Sequence, residues 1–368
     1  MSRKGRVLVA MSGGIDSSVA ALMLHESGYE VIGVTMKTWD YASSGGTKKT
    51  TGCCSLDDIN DARSLAVSMG FPHYIIDIRE EFGEHIIEDF VNEYLAGRTP
   101  NPCVRCNTHI KWDALARRAE LLDCDYIATG HYARVRKEGD RFVIFKGIDS
   151  NKDQSYVLWG LKQERLSRTI FPVGGFTKPE IRKIALESGF ENIANKGESY
   201  EICFIPDNDY RSFIRRKRPE ESDELKGGAF MDKQGNILGK HDGYPYFTVG
   251  QRKGLGMAFG KPVYVTGIDA ERNVVFLGEA EELLGTEMWV RDVNLIKYDS
   301  LKEEHYAHTK IRYKDRGAPS LLFPEGNRVN VKFLSEVSAI APGQSAVFYE
   351  EDDLIGGGFI EKSPNLVL

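Results

Sequence analysis

The sequence predicts an α/β protein: a doubly wound parallel sheet, followed by a small central domain and a C-terminal antiparallel β-barrel. Three observations predict it. Over the first 130 residues, β-rich apolar runs alternate with stretches of helical periodicity. A Ser/Gly-rich loop falls at the junction of the first strand and first helix. Beyond about residue 207, helical periodicity gives way to glycine-punctuated short strands.

Taken in order, residues 6–11 form a continuous apolar run, 16–27 an amphipathic helix and 30–36 a second strand. Leu56–Met69 reads as a helix, 74–77 as a short strand, and 80–96 as one helix. Residues 110–122 carry apolar side chains at helical spacing, and Tyr126–Thr129 closes the series as a strand. A hairpin follows around Glu138-Gly139-Asp140. Thr177 and Glu180 then form a capping box with Pro179 in the first turn of a helix. The spacing places domain limits at 1–210, 211–284 and 285–368.

With 41% hydrophobic and 28% charged residues over 368 positions, the chain has the composition of a folded globular protein, which excludes disordered and collagen-like classes. Its longest apolar stretches are far short of a membrane span, so no membrane association is expected. The N-terminus reads as a buried strand, not a signal peptide. Six cysteines then point to a cytoplasmic, reducing setting, where thiols serve chemistry or metals more often than disulfides. The net charge of −6 argues against general nucleic-acid affinity but leaves room for a local basic surface.

Ser12-Gly13-Gly14-Ile15-Asp16-Ser17-Ser18 connects the first strand to the first helix, with Ala10 and Met11 leading into it. Two glycines let the backbone approach an anion, and the helix N-terminus offers unpaired N–H groups. Asp16 is placed to hold Mg²⁺ on phosphates. No GxxxxGK[ST] is present, so the lysine of the common P-loop is missing.

Pro100 and Pro102 stiffen the loop Thr99–Asn107, which precedes the 110–122 helix. Cys106 is expected near a helix N-terminus with Arg105 and Lys111 close by, a setting that favours thiolate. Cys203, flanked by apolar residues, reads either as a buried small hydrophobe or as a second reactive thiol. Cys124 reads as structural, and the adjacent Cys53 and Cys54 as loop or structural residues.

SGGIDSS, GRTPNPCVRCN, ATGHYAR, KDQSYVL, EICFI and FTVGQRKGLG together resemble the tRNA-specific 2-thiouridylases, the MnmA/TrmU family, in order and rough spacing over essentially the whole chain. The resemblance implies a pyrophosphate-loop (adenine nucleotide alpha hydrolase-like) catalytic domain. In that family ATP adenylates the C2 oxygen of the anticodon wobble uridine, sulfur replaces it, and AMP and pyrophosphate leave. The implied nucleotide-binding residues are Ala10, Met11, Ser12, Gly13, Gly14, Ile15, Asp16, Ser17, Met36 and Gly130. On its own sequence Met36 reads as an ordinary core residue, and only the resemblance gives it a nucleotide.

By the same resemblance, Cys203 carries a persulfide received from a cysteine desulfurase or sulfur-relay protein. Cys106 either releases sulfide by closing a Cys106–Cys203 disulfide or attacks C2 itself. Asn101, Pro102 and Cys103 face the target base. His131, Lys152, Asp153 and Gln154 contact tRNA around a flipped uridine, and Arg312, Tyr313 and Gln344 contact it from the barrel. The tRNAs expected are the Lys, Glu and Gln isoacceptors. One departure stands out: the best-known family members have Asp where this chain has Cys103. Cys103, Cys106 and Cys203 then make three thiols, enough to hold a [4Fe–4S] cluster with one open iron.

Two basic groups supplement these contacts: Arg211, Arg215, Arg216, Lys217 and Arg218, and the alternating Lys310, Arg312, Lys314 and Arg316, expected along one face of a strand. Two other classes fit fewer motifs: an amide-forming ligase with the same phosphate loop, and a non-catalytic cluster- or tRNA-binding protein.

Overall fold

The computed structural model describes residues 4–39, 56–197 and 202–361. Cys53, Cys54, Tyr200 and Glu201 lie outside the described residues. The chain divides into two compact units. One comprises Met1–Ile86, Cys103–Asn208 and Asp352–Leu354, the other Ile87–Pro102, Asp209–Glu351 and Ile355–Leu368.

The first unit contains the expected parallel sheet. Strands β1 (Arg6–Ala10), β2 (Glu30–Lys37), β3 (His73–Asp77), β4 (Tyr126–Thr129) and the two-residue Thr169–Ile170 lie in the order β3-β2-β1-β4 with Thr169–Ile170 at the far edge. All pair in parallel, with Val7–Ala10 between Val31–Val34 and Tyr126–Thr129. Helices α1 (Ile15–Glu26) and α2 (Leu56–Met69) follow β1 and precede β3. Val7, Val9, Val19, Leu65 and Ile181 share one core cluster, while Leu8, Ile32, Val34 and Leu115 share another. Alternate residues of β1 thus feed opposite faces, the signature of a sheet covered on both sides. Strand order reverses between β1 and β4, so the loops after these two strands open at the switch point where such sheets bind ligands.

Two helical expectations are corrected. The single helix expected over 80–96 is α3 (Arg79–Phe82), a π-helical stretch (Gly83–Ile87) and α4 (Glu88–Leu95). The unit boundary falls between Ile86 and Ile87, so the two ends of this stretch serve different cores. The cysteine loop is itself helical. Pro102 opens α5 (Pro102–Arg105), a π-helical segment covers Cys106–Lys111, and α6 (Trp112–Leu121) continues it. Pro suits a first helical position, where its missing N–H and fixed φ cost nothing. Cys106 therefore lies inside a helical run rather than at an N-terminus.

In the second unit, one four-stranded sheet joins Tyr264–Asp269, Val274–Gly278, Gly228–Met231 and Ile237–His241, in that order. Six further strands, Leu284–Leu295, Arg328–Ser338, Ala318–Glu325, His305–Lys310, Ser345–Glu350 and Asp353–Ile360, form a ring closed by pairing of the first with the last. Met288, Val290, Leu322, Val331, Phe348 and Ile355 fill it. Closure removes free strand edges.

Candidate active site

The phosphate loop is shaped by its own residues. The Ser12 N–H donates to Ser17 Oγ (3.0 Å), Ser17 Oγ lies 3.2 Å from Ser12 Oγ, and it donates to the Gly14 carbonyl (3.1 Å). Gly14 caps α1 in an extended conformation with no side-chain capping bond, leaving first-turn N–H groups directed at the loop. Gly13 has φ +74°, and a Cβ there would lie 2.2 Å from the Asp58 carbonyl oxygen. A Cβ on Gly130 would lie 2.6 Å from the Ser17 nitrogen. These glycines let α2 and the end of β4 close on the loop.

Met11 is buried, donating its N–H to the Val34 carbonyl (2.8 Å) and accepting Thr35 Oγ1 (2.7 Å). Ile15 shares its core cluster, Ala10 and Met36 pack against the cluster on the opposite face of the sheet, and Met36 is half-buried at the end of β2.

Asp16 is the electrostatic centre. Lys178 Nζ donates to both its oxygens (2.7 and 2.8 Å), and the Tyr132 hydroxyl donates to Oδ1 (2.7 Å). Lys196 Nζ donates to the Gly13 carbonyl (2.9 Å) and to Asp58 (2.8 Å), and pairs with Asp61. Sequence reasoning missed Tyr132, Lys178 and Lys196. For Lys178 a signal exists: a cation at the first position of a helix opposes the helix dipole, so its placement there asks for an external reason. For Lys196 the local sequence offers none.

The remaining motifs of this unit interlock. Gln154 grips Tyr132 at both ends, accepting its N–H on Oε1 (3.0 Å) and donating its own N–H to the Tyr132 carbonyl (2.8 Å). Asp153 accepts the N–H groups of Gly147 and Ser155 (3.1 Å each) and the Ser155 hydroxyl (2.9 Å). The Lys152 N–H donates to the Asp149 carbonyl (3.0 Å). Asn107, beside Cys106, donates to the Val157 carbonyl (3.0 Å), tying the cysteine segment to the same turn.

His131 shares a 2.7 Å hydrogen bond with Thr129 Oγ1, and its ring lies 5.6 Å from Trp112 and 6.3 Å from Phe171. Burial, helped by Lys111, pushes its pKa down to about 3. It is therefore a neutral hydrogen-bonding ring at physiological pH, not a cationic phosphate clamp.

The thiols differ in setting. Cys103 is exposed, Cys106 and Cys124 are buried, Cys203 is half-buried, and none of the four is in a disulfide. Cys124 is pushed up to about 11, consistent with an inert structural residue. Phe204 packs edge-on against Phe82 of α3 (5.7 Å), and the Cys106–Lys111 segment packs against that same helix. The segment that begins at Cys106 and the residue after Cys203 thus adjoin one element. Among the described residues, no group of three or more His, Cys, Asp or Glu side chains is arranged to hold a metal ion.

In the second unit, Gln344 Nε2 donates to the carbonyls of Thr99 and Pro100 (3.1 Å each), and the Thr99 N–H donates to Pro342 (2.8 Å). The segment entering Asn101-Pro102 is therefore held by a barrel loop about 245 positions away in sequence.

Arg312 and Tyr313 are exposed, but not on the expected strand face. The strand stops at Lys310, and Arg312, Lys314 and Arg316 project from the turn that follows. Asp315 ends the strand by accepting the N–H groups of Ile311 and Gly317 (3.2 Å each). The Arg211–Arg218 cluster is partly committed internally. Arg211 donates to the Gly254 carbonyl, Arg215 pairs with Asp242 and lies over the Tyr246 ring, and Arg218 pairs with Glu88.

A parallel sheet with a glycine-serine phosphate loop at its switch point defines an α/β nucleotide-binding class of protein. Family descriptions agree along the chain: a tRNA methyl transferase HUP domain matches residues 5–207, a tRNA methyl transferase PRC-barrel domain 211–279, and an aminomethyltransferase β-barrel domain 285–360. The tRNA-specific 2-thiouridylase MnmA of Cytophaga hutchinsonii is 62% identical over 364 residues, covering 99% of both chains. That of Amoebophilus asiaticus is 61% identical over 362 residues, covering 98% of this chain and 96% of its own. That of Salinibacter ruber is 55% identical over 366 residues, with 98% and 96% covered. The chain belongs to the tRNA-specific 2-thiouridylase (MnmA) family.

Proposed function

We propose that the protein is an ATP-dependent tRNA sulfurtransferase that converts the wobble uridine to 2-thiouridine. The observation that carries the reading is the convergence, in one unit, of the phosphate loop, the GHYAR and KDQSY segments and the two segments that carry Cys106 and Cys203. A methyl transferase, which the family description names, needs no such phosphate loop.

The loop's backbone N–H groups and the hydroxyls of Ser12 and Ser17 would bind the β,γ-phosphates, with Met36 and Gly130 at the strand ends beside the nucleotide. Asp16 has the donor chemistry to hold Mg²⁺, which would neutralise phosphate charge there. The uridine C2 oxygen attacks the α-phosphorus and pyrophosphate leaves, turning an unreactive oxygen into a leaving group. His131, neutral and tilted against Trp112, suits hydrogen bonding to a flipped base. Asn101, Pro102 and Cys103 would face that base. Lys152 would meet tRNA, while Asp153 and Gln154 hold the turn that presents it. Arg312 and Tyr313 would contact the tRNA backbone from the barrel, and Gln344 would act there and on the Thr99–Pro100 segment.

For sulfur, we read Cys203 as persulfide carrier. The Cys106 thiolate attacks the Cys203 Sγ, hydrosulfide leaves, and a Cys106–Cys203 disulfide forms. Hydrosulfide then adds at C2 and expels AMP. A dithiol reductant resets the pair, and a cysteine desulfurase or relay protein recharges Cys203. The described residues do not gather Cys103, Cys106 and Cys203 as one ligand set, so no step is assigned to an iron–sulfur cluster. The three-part division at 1–210, 211–284 and 285–368 would separate chemistry from tRNA binding.

The test supplies the protein with ATP, unmodified Lys, Glu or Gln tRNA and a persulfide donor. The expected products are wobble 2-thiouridine, AMP and pyrophosphate. Cys203→Ala should lose thiolation while still forming tRNA-dependent pyrophosphate. Release of ADP and phosphate instead would overturn the assignment.

A further inference from the structure

No basic residue lies between Ala10 and Ser18, and Asp16 puts a carboxylate into that loop. The fold brings in an ammonium from 162 positions away. The Lys178 side chain is only 9% exposed and bridges both oxygens of Asp16. We propose that Lys178 is a phosphate-binding residue held in reserve: without nucleotide it neutralises Asp16, and when a triphosphate enters it turns to the phosphates, releasing Asp16 to a divalent cation. This rests on reading the loop as a phosphate site.

Three features carry the exchange. A buried ammonium requires an anion, and a half-buried carboxylate beside phosphates favours a cation. With a triphosphate and a divalent cation present, both requirements are met after Lys178 changes partner. The backbone of Lys178 is fixed while its side chain is long. Its N–H donates to Asp149 Oδ2 (3.0 Å), and the Thr177–Glu180 capping box sets the start of its helix, Lys178–Glu187. Four methylenes then give the ammonium reach without moving the helix. Tyr132 retains hold of Asp16 Oδ1 (2.7 Å) with its ring 5.8 Å from Lys178 Nζ, so Asp16 stays oriented when the lysine leaves. Lys196 contrasts with it: two carboxylates and the Gly13 carbonyl fix that ammonium in a structural role.

The experiment is calorimetric titration of the intact protein with ATP in EDTA, with AMP in parallel, for wild type, Lys178→Gln, Asp16→Asn and the double variant. Lys178→Gln should weaken metal-free ATP by about ten-fold or more and AMP by less than about three-fold, the loss of one charge-assisted contact. Asp16→Asn should tighten metal-free ATP, because it removes a like charge and frees the lysine. The double variant should bind ATP about ten-fold more weakly than Asp16→Asn alone, a comparison that holds even if Lys178→Gln does not fold. Unchanged ATP affinity in Lys178→Gln, equal losses for ATP and AMP, or weakening by Asp16→Asn would overturn the proposal and leave the pair structural. Wild-type protein that binds no ATP would instead overturn the phosphate-loop reading itself.

Discussion

Two loops of this protein are held in opposite ways. The phosphate loop, residues 12–17, is fixed by bonds among its own neighbours, Ser12, Gly14 and Ser17, and by glycines that admit backbone at van der Waals limits. The segment Thr99–Pro102 has no such internal framework of serines and glycines. It is gripped by Pro342 and Gln344, some 245 positions away. A loop whose ligand is a compact anion can be written into a few consecutive residues. A loop that must present itself to a large macromolecule is positioned by whichever part of the fold reaches it.

The largest effect that would test this contrast is at Gly13. Gly13→Ala puts a Cβ 2.2 Å from a backbone oxygen at φ +74°, so the loop must rebuild. Nucleotide binding should be lost and stability should fall by roughly 3 kcal/mol or more, read by calorimetry and denaturant unfolding. Wild-type ATP affinity in this variant would break the account of the loop.

Gln344→Ala should cost about 1–2 kcal/mol, the net value of two hydrogen bonds, and raise amide exchange around Arg98–Thr99 while leaving ATP affinity unchanged. If ATP affinity fell instead, the two loops would not be independent. Asp315→Ala frees the turn after Lys310. A loss of about 1 kcal/mol and several-fold weaker tRNA binding are expected, with ATP binding again untouched.

The smallest effect is an absence of titration. His131, with its pKa pushed down to about 3, should give neutral-ring nitrogen shifts by NMR from pH 8 to pH 5. Its folded pKa lies below the unfolded value of about 6.5, so the unfolded chain binds the extra proton between these values. Its contribution to stability is complete above pH 6.5 and declines as pH falls towards 3. A ring that titrates near 6.5 would show that the Trp112 contact does not exclude water.

The sequence alone was enough for the parallel strands, the phosphate loop and the C-terminal barrel. Hydrophobic period and glycine placement are local properties, and closely spaced residues such as Ser12 and Ser17 must meet whatever the rest of the fold does. Local pattern failed where distant packing intervened. Helical spacing runs unbroken over 80–96, but the two ends serve different cores and a π-helical stretch separates them. Alternating basic residues imitated a strand face past Lys310, where one carboxylate, Asp315, had already turned the chain. The basic cluster near 211–218 is legible in the sequence, and only the tertiary structure shows that Arg211, Arg215 and Arg218 also meet partners within the chain. The charge of the phosphate site was decided in the same way. The loop supplies Asp16 but no cation, and Lys178 and Lys196 reach it only because the sheet's crossovers carry their segments back to the end of β1. Charges interact through space, so their partners follow from the fold and not from the order of residues.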